Sequence, residues 1–357
     1  MSTNQPDWLQ RFDATLLRRM KSTGWRDPLM LHITDSRGGA WIRSLAREGT
    51  TAAPALPDTT PFRIASVTKV HVAAALMRMV ETRGLQIESP LSAWLTAPTL
   101  HLLTGGGYDP QSITIAQLMR HSSGLRDHCS CDAFLDRLLR EPAHRWSRLE
   151  QVQLAMALGA PLCAPGETFH YSDTGYILLG EILEQASGLS LAAALRSLLS
   201  FERLGLHRTW LDAVEPAVPG LPACAPQFFR DIDASAFDAS FDLFGGGGLV
   251  STLADLDRFF RALFDGRVFE RADTLKRLLD AQRTPCGFDD FSHNGLMFHR
   301  SLAGLDCWGH TGFWGVLAAC IPARGLVLGA TFNRSRQEGT YGPDELLEDF
   351  AVSLSSP

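Results

Sequence analysis

Ser66 and Lys69 stand three residues apart at the head of the segment SVTKVHVAAALMRMVETR, a spacing that puts both side chains on one face of a helix. The partial positive charge at a helix N-terminus favours a seryl alkoxide and disfavours an ammonium, and burial pushes lysine the same way. A hydroxyl in that position is an activated nucleophile. Composition singles out the lysine, because of 33 basic residues only Lys21, Lys69 and Lys276 are not arginine. Arginine stays protonated whereas lysine can be shifted, so a lysine kept inside an apolar segment points to proton chemistry. The other two lysines have Arg18 and Asp273, not serine, three residues earlier. Taken alone, S-x-x-K also fits a capping serine followed by a surface lysine.

Two further groups carry chemistry. Tyr171, one of four tyrosines against 20 phenylalanines, opens the triplet Tyr171-Ser172-Asp173 before a helix that begins near Thr174. A phenol acts as base or proton relay when a cation lies beside it. The bland reading makes Tyr171 a half-buried aromatic and Asp173 the N-cap of the next helix. The third group is His310-Thr311-Gly312 in the strand-like segment CWGHTGFWGVLAAC. Glycine in a strand lets a substrate or another backbone approach closely, and neighbouring N–H groups can face an oxyanion. Its bland reading is a bulge in an edge strand.

The elements that must position these groups are legible in outline. Residues 8–24 carry a helical stripe of Leu9, Phe12, Leu16 and Leu17, and LMLHITD and AWIRSLA flank Ser36 to Gly39 as a hairpin. The Ser66–Arg83 helix, apolar over most of its circumference, should be buried and end at Gly84. Helical signals then run to about residue 210, with starts at Thr114 and at a Ser147/Glu150 capping box, and a close at Gly188. Residues 211–244 read as a long connection. Its phenylalanines, Phe228, Phe229, Phe237, Phe241 and Phe244, serve to anchor it to the core rather than to wall an acyl pocket. Gly245 to Gly248 make a turn, a helix follows behind Ser251 or Thr252, and strand-like segments precede the terminal amphipathic helix PDELLEDFAVSL. The expected fold is α/β (α+β), an antiparallel sheet flanked by N- and C-terminal helices with a mostly helical lobe inserted. The expected organisation is a sheet lobe of residues 1–65 and 245–357 and a helical lobe of residues 66–244, with the site in the cleft between.

Composition narrows the function. The chain has 357 residues, 33 Lys+Arg and 39 Asp+Glu, and a formal net charge of −6, which disfavours a nucleic-acid binder working through a basic surface. No apolar run reaches membrane-spanning length and the N-terminus does not read as a secretory signal, so the expected location is the cytoplasm. Seven scattered cysteines do not form a disulfide framework. His128, Cys129 and Cys131 resemble half a metal site with no second cluster, and the ordinary thiol reading is preferred. No G-x-S-x-G elbow, P-loop or dinucleotide fingerprint occurs.

Ser-x-x-Lys, Tyr-x-Asp about a hundred residues on, and His-Thr-Gly near the end are together far more specific than singly. In this order the chain resembles the serine β-lactamase and penicillin-binding superfamily. The likeness is to its class C-like branch with D-alanyl-D-alanine carboxypeptidases, family VIII esterases and D-aminopeptidases. The phrases TPFRIASVTK, ITIAQLMRHSSGL, PGETFHYSDTGYILLGEIL and GGGGLVSTLADLDRF match that branch too, and the likeness covers roughly residues 30 to 335. It implies that Ser66 is the acylated nucleophile, that Lys69 shares its proton, and that Tyr171 takes that proton and returns it to the leaving group. His310, Thr311 and Gly312 match the substrate-binding strand triplet, whose first position is Lys in many β-lactamases, and the backbone N–H groups of Ser66 and Phe313 match the oxyanion hole. No metal or organic cofactor is implied.

Two departures bear on substrate. The family usually has Asn where Asp173 stands, and a carboxylate cannot donate to a substrate carbonyl. It should instead raise the Lys69 pKa, which makes Tyr171 beside a charged Lys69 the expected working base, or pair with an ammonium on the substrate. His310 in place of Lys weakens the fixed positive charge for a substrate carboxylate. The expected function is a serine hydrolase acting through an acyl-enzyme on a small ester or amide, an esterase or a D-amino acid peptidase or amidase, rather than a β-lactamase. A transacylase with an amine or alcohol acceptor and a catalytically silent ligand-binding protein on the same fold are the alternatives.

Overall fold

The computed structural model describes residues 6–23, 28–45, 56–279, 292–293, 298–335 and 340–355. A seven-stranded antiparallel sheet runs in the order Ala40–Leu45, Leu29–Thr34, Leu326–Thr331, Val316–Ile321, Leu305–Gly312, Phe298–Leu302, Ser292–His293. The first two strands form the expected hairpin, closed by Asp35, whose Oδ1 accepts from the N–H groups of Arg37 and Gly39 at 2.8 Å each.

Strand period explains the layers. Leu29, Leu31 and Ile33, with Leu317, Ala319, Ile321, Leu326, Leu328 and Ala330, point to one face, where Phe12 and Leu16 of helix Asp7–Thr23 and Leu346, Leu347 and Phe350 of helix Pro343–Ser355 cover them. Met30, Val316, Ala318, Cys320 and Val327 alternate to the other face and join the larger core shared with helices Thr68–Arg83, Asp173–Ser187 and Leu253–Phe264. Both faces of the central strands are therefore buried, and one apolar cluster runs without interruption from the sheet into the helices.

Several local expectations meet their structures. Helix Thr68–Arg83 is buried on nearly every side and ends at Gly84 with φ of +69°. Thr114 and Gln117 form a capping box. At Ser147 only half a box forms: Ser147 Oγ accepts from Glu150 N–H, but the Glu150 carboxylate turns to Arg137 at 2.7 Å and His144 at 2.9 Å. Thr252, not Ser251, caps helix Leu253–Phe264. The connection over residues 211–244 is anchored by buried Phe237 and Phe241, and its aspartates Asp233 and Asp238 cap short 3-10 turns. It also contains a hairpin, Phe228–Phe229 with Ile232–Asp233, too short to show a period in sequence.

The segment read as one strand around His310 is two strands, Leu305–Gly312 and Val316–Ile321, joined by a tight turn in which Gly315 N–H donates to Gly312 O at 2.9 Å. A second small sheet, Phe62–Arg63 with Leu249–Ser251 and Trp210–Leu211, joins the run before Ser66 to the run after Gly248. Among the described residues no single helix is long and apolar enough to cross a membrane.

Candidate active site

Ser66 sits in a single 3-10 turn, Ala65–Val67, that leads into helix Thr68–Arg83. Ala65 holds φ of +46°, an unusual conformation for a residue with a side chain. Strand Leu249–Ser251 over-determines it: Leu249 O accepts from Ile64 N–H at 2.9 Å on one side of the turn, and Leu249 N–H donates to Thr68 Oγ1 at 3.2 Å on the other.

One helical turn on, Lys69 is fully buried. Its Nζ donates to Ser66 Oγ at 3.0 Å, to Gly246 O at 2.5 Å and to Asp173 Oδ1, three acceptors for the three hydrogens of an ammonium. Burial alone would lower the lysine pKa, but the Asp173 carboxylate and the Tyr171 hydroxyl oppose it and the net direction is upward. Burial likewise acts to raise Asp173, and the Lys69 charge wins, holding the carboxyl below its ordinary value. The resting pair is ammonium and carboxylate.

Asp173 is not the N-cap of its helix. That place belongs to Ser172, whose Oγ accepts from Gly175 N–H at 3.1 Å, and Asp173 occupies the first helical position with its side chain turned to Lys69. Tyr171 precedes them, half-buried, its ring centroid 5.1 Å from Lys69 Nζ and its side chain lining the same cleft as Ser66. Burial raises the Tyr171 pKa more than the lysine charge lowers it. Lys69 is charged as the sequence predicts, yet at rest Tyr171 is a phenol and not a phenolate base.

Across the cleft, strand Leu305–Gly312 carries His310, Thr311 and Gly312. Residues 305–309 pair with Phe298–Leu302 and residues 308–312 with Val316–Ile321 in an unbroken register, so the triplet holds no bulge against Val316–Ile321. His310 is buried and its Nδ1 lies 2.6 Å from Thr311 O. Gly312 is required where it stands: a Cβ there would meet Ile64 O at 2.5 Å and Ala65 Cβ at 3.4 Å. The strand thus presses directly on the serine turn. Ser66, Tyr171, Asp173, His310, Thr311, Gly312 and Phe313 line one cleft of about 350 Å3, together with Phe298, Gly315, Pro343 and Asp344.

Several groups at the site are not evident from sequence reading. His121 stacks on the Tyr171 ring at 4.3 Å and 23°, and its Nδ1 accepts from Ser172 N–H at 3.1 Å, so one imidazole holds both the ring and the backbone of the tyrosine segment. It lies in the phrase ITIAQLMRHSSGL, whose match was the available signal. Asp127 and Asp242 feel the charges of Lys69 and Asp173, and each carboxyl is pushed up to about 7, first by burial and then by the Asp173 charge. Asp127, His128 and Cys129 bring ligand-type atoms within 4.8 Å of one another, but His128 Nδ1 is engaged with Thr174 Oγ1 at 3.0 Å and Nε2 lies 3.4 Å from Cys129 Sγ. The six described cysteines are free thiols, as the scattered spacing predicts.

With this geometry in hand, a family model described as beta-lactamase matches residues 32–351 of the chain. A probable fimbrial assembly protein FimD, serogroup H1, of Dichelobacter nodosus is 24% identical over 99% of this chain and 85% of its own length. Esterase EstB of Burkholderia gladioli is 33% identical over a shorter stretch, 45% of this chain and 42% of its own length. Among solved structures, a D-stereospecific amidohydrolase from Streptomyces sp. superposes with a TM-score of 0.80 at 22% identity, covering 96% of this chain and 98% of its own.

Proposed function

Because the chain belongs to the beta-lactamase family, whose relatives include serine hydrolases of ester and amide bonds, we propose that it is itself a serine hydrolase that forms a covalent acyl-enzyme at Ser66 on a small ester or amide. The observation that carries this reading is the 3.0 Å contact between buried Lys69 Nζ and Ser66 Oγ at the floor of an open cleft. The nucleophile, a proton network and a strand for the substrate face the same space.

In this reading Ser66 Oγ attacks the carbonyl carbon, and backbone N–H groups of Ser66 and Phe313 receive the oxygen as its charge develops. The serine proton enters the network of Tyr171, Lys69 and Asp173. Asp173 is its final acceptor: Lys69 hands one proton to the carboxylate and takes one from Ser66 through the 3.0 Å contact, leaving a neutral acid beside an ammonium. Tyr171, in the same cleft with its ring 5.1 Å from Lys69 Nζ, gives its phenolic proton to the leaving group and regains one from Asp173 through Lys69, and water then repeats the attack on the acyl-enzyme. Thr311 and Gly312 offer strand backbone to the substrate. Asp173 lines the cleft as an acceptor, which favours a substrate that presents an N–H or an ammonium there and disfavours one that requires an amide donor.

Intact-protein mass after treatment with a fluorophosphonate tests the assignment. The expected result is one adduct, mapped to Ser66 and absent in Ser66→Ala, together with turnover of a short-chain ester or a D-amino acid amide by the wild type only. Absence of an adduct at Ser66 would sink the reading.

A further inference from the structure

The sheet side of the cleft ends in a pair of stacked rings, one of them exposed. Phe313 lines the cleft and leaves 48% of its surface exposed. The Phe229 ring stacks on it at 5.7 Å and 23°, and the Arg230 guanidinium lies 5.2 Å from the Phe229 centroid. Buried Trp314 meets Phe313 edge-on at 4.8 Å and 79°, which fixes the tilt of the ring.

Single exposed phenylalanines are common on protein surfaces and by themselves mean little. This one is different because its backing is rigid and its position is set by the reaction site. Phe228 N–H donates to Asn333 O at 2.9 Å, Phe228 O accepts from Ser335 N–H at 2.8 Å, and Arg230 N–H donates to Ser335 Oγ at 3.3 Å. These bonds tie the Phe228–Phe229 hairpin to the end of strand Leu326–Thr331, so the backing ring is held before any ligand arrives. Phe313 directly follows Gly312, which is pressed against the Ser66 turn. A group resting on the Phe313 ring is thus within a few bonds of a carbonyl in reach of Ser66.

We propose that the open face of Phe313 is a subsite for a flat aromatic group of the substrate, so that the favoured ester or amide carries an aryl or arylmethyl substituent next to the scissile bond. The proposal rests on the reading of Ser66 as the nucleophile and adds the chemical class of what is bound. A saturated ring of the same size buries similar apolar area but lacks the ring-on-ring attraction. The expected preference for the aromatic member of such a pair is roughly 2- to 12-fold.

The test compares benzyl and cyclohexylmethyl fluorophosphonates by their rates of labelling Ser66, and the matching benzyl, cyclohexylmethyl and methyl esters by kcat/KM. Wild type should favour benzyl over cyclohexylmethyl by roughly 2- to 12-fold in both series. Phe229→Leu, which removes the backing ring, should bring that ratio towards one while the methyl ester stays within about twofold; Phe229→Tyr, which keeps a ring, should retain the ratio. A wild-type ratio near one overturns the subsite, and that result needs no variant. Equal loss for all three esters in Phe229→Leu also overturns it, since that is the mark of a merely structural role. Failure of both reagents to label Ser66 overturns the nucleophile itself, whereas labelling without aromatic preference overturns the subsite alone.

Discussion

The lysine at the centre of the cleft is unusual in having a carboxylate as its principal partner, and the chemistry of the site turns on that pair. Removing the negative charge in Asp173→Asn leaves burial as the dominant influence on Lys69, so its pKa falls and the neutral amine becomes available at lower pH. With the carboxylate gone the neutral amine must take the serine proton in its place, so the acid limb of kcat/KM, set in wild type by Asp173 below the ordinary carboxylate range, is expected to move up by at least about one unit to the titration of Lys69, read from rates between pH 4 and 9. His121 makes a separable contribution. His121→Asn keeps an acceptor near Ser172 N–H and suits the φ of +53°, but it loses the ring stacked on Tyr171. The expected outcome is a kcat lower by about tenfold with KM little changed, since the tyrosine is misaimed while the binding strand is untouched. The convergence of Ser66, Lys69, Tyr171 and the His310 strand was legible because residue type and order carry it. Asp127, Asp242, the Gly246 carbonyl and the His121 clamp were not, because each acts through a contact between segments far apart in sequence, and nothing in local spacing announces it.

Among the elements, the strand bearing Gly312 shows how closely the sheet is fitted to the serine turn. Gly312→Ala places a methyl carbon against the Ile64 carbonyl, which is backbone and has nowhere simple to go. The strand must lift, and a displacement near an ångström costs on the order of 100-fold in kcat/KM while the protein stays folded, checked by kinetics beside a thermal melt. Helix starts show what sequence does and does not reveal. Thr114 and Thr252 were readable from capping preference. At residues 172 and 173 two residues of equal capping tendency compete, and the choice falls to Ser172 because Lys69 claims the neighbouring carboxylate. The two-residue strands at Phe62–Arg63, Trp210–Leu211 and Phe228–Phe229 are too short for any period to appear.

For the whole molecule, the alternation of the central strands foretold a sheet with helices packed on it, but strand order depends on pairings that local pattern does not encode. The terminal helices are part of the core and not appendages. Phe12 and Phe350, both fully buried, meet at 5.1 Å, and Phe12→Ala is expected to cost about 3–5 kcal/mol, measured by denaturant unfolding. Stability should also depend on pH through Asp242. Its folded-state pKa of about 7 lies above the ordinary carboxylate range, so its favourable contribution is complete below that range and is lost as pH rises through 7. Asp242→Asn, a neutral mimic of the protonated acid, should therefore melt close to wild type at pH 4 and above it at pH 8.

The grip of Leu249 on both sides of the Ser66 turn has a consequence for the order of events in folding. The backbone that holds the turn of Ser66, the proposed nucleophile, and the carbonyl at Gly246 that takes a lysine hydrogen both come from a stretch some 180 residues downstream, so on that proposal an emerging polypeptide carries an inert serine until that stretch docks. In a refolding experiment, covalent capture at Ser66 should lag the recovery of helical signal, and the enzyme would be armed only once its architecture is closed.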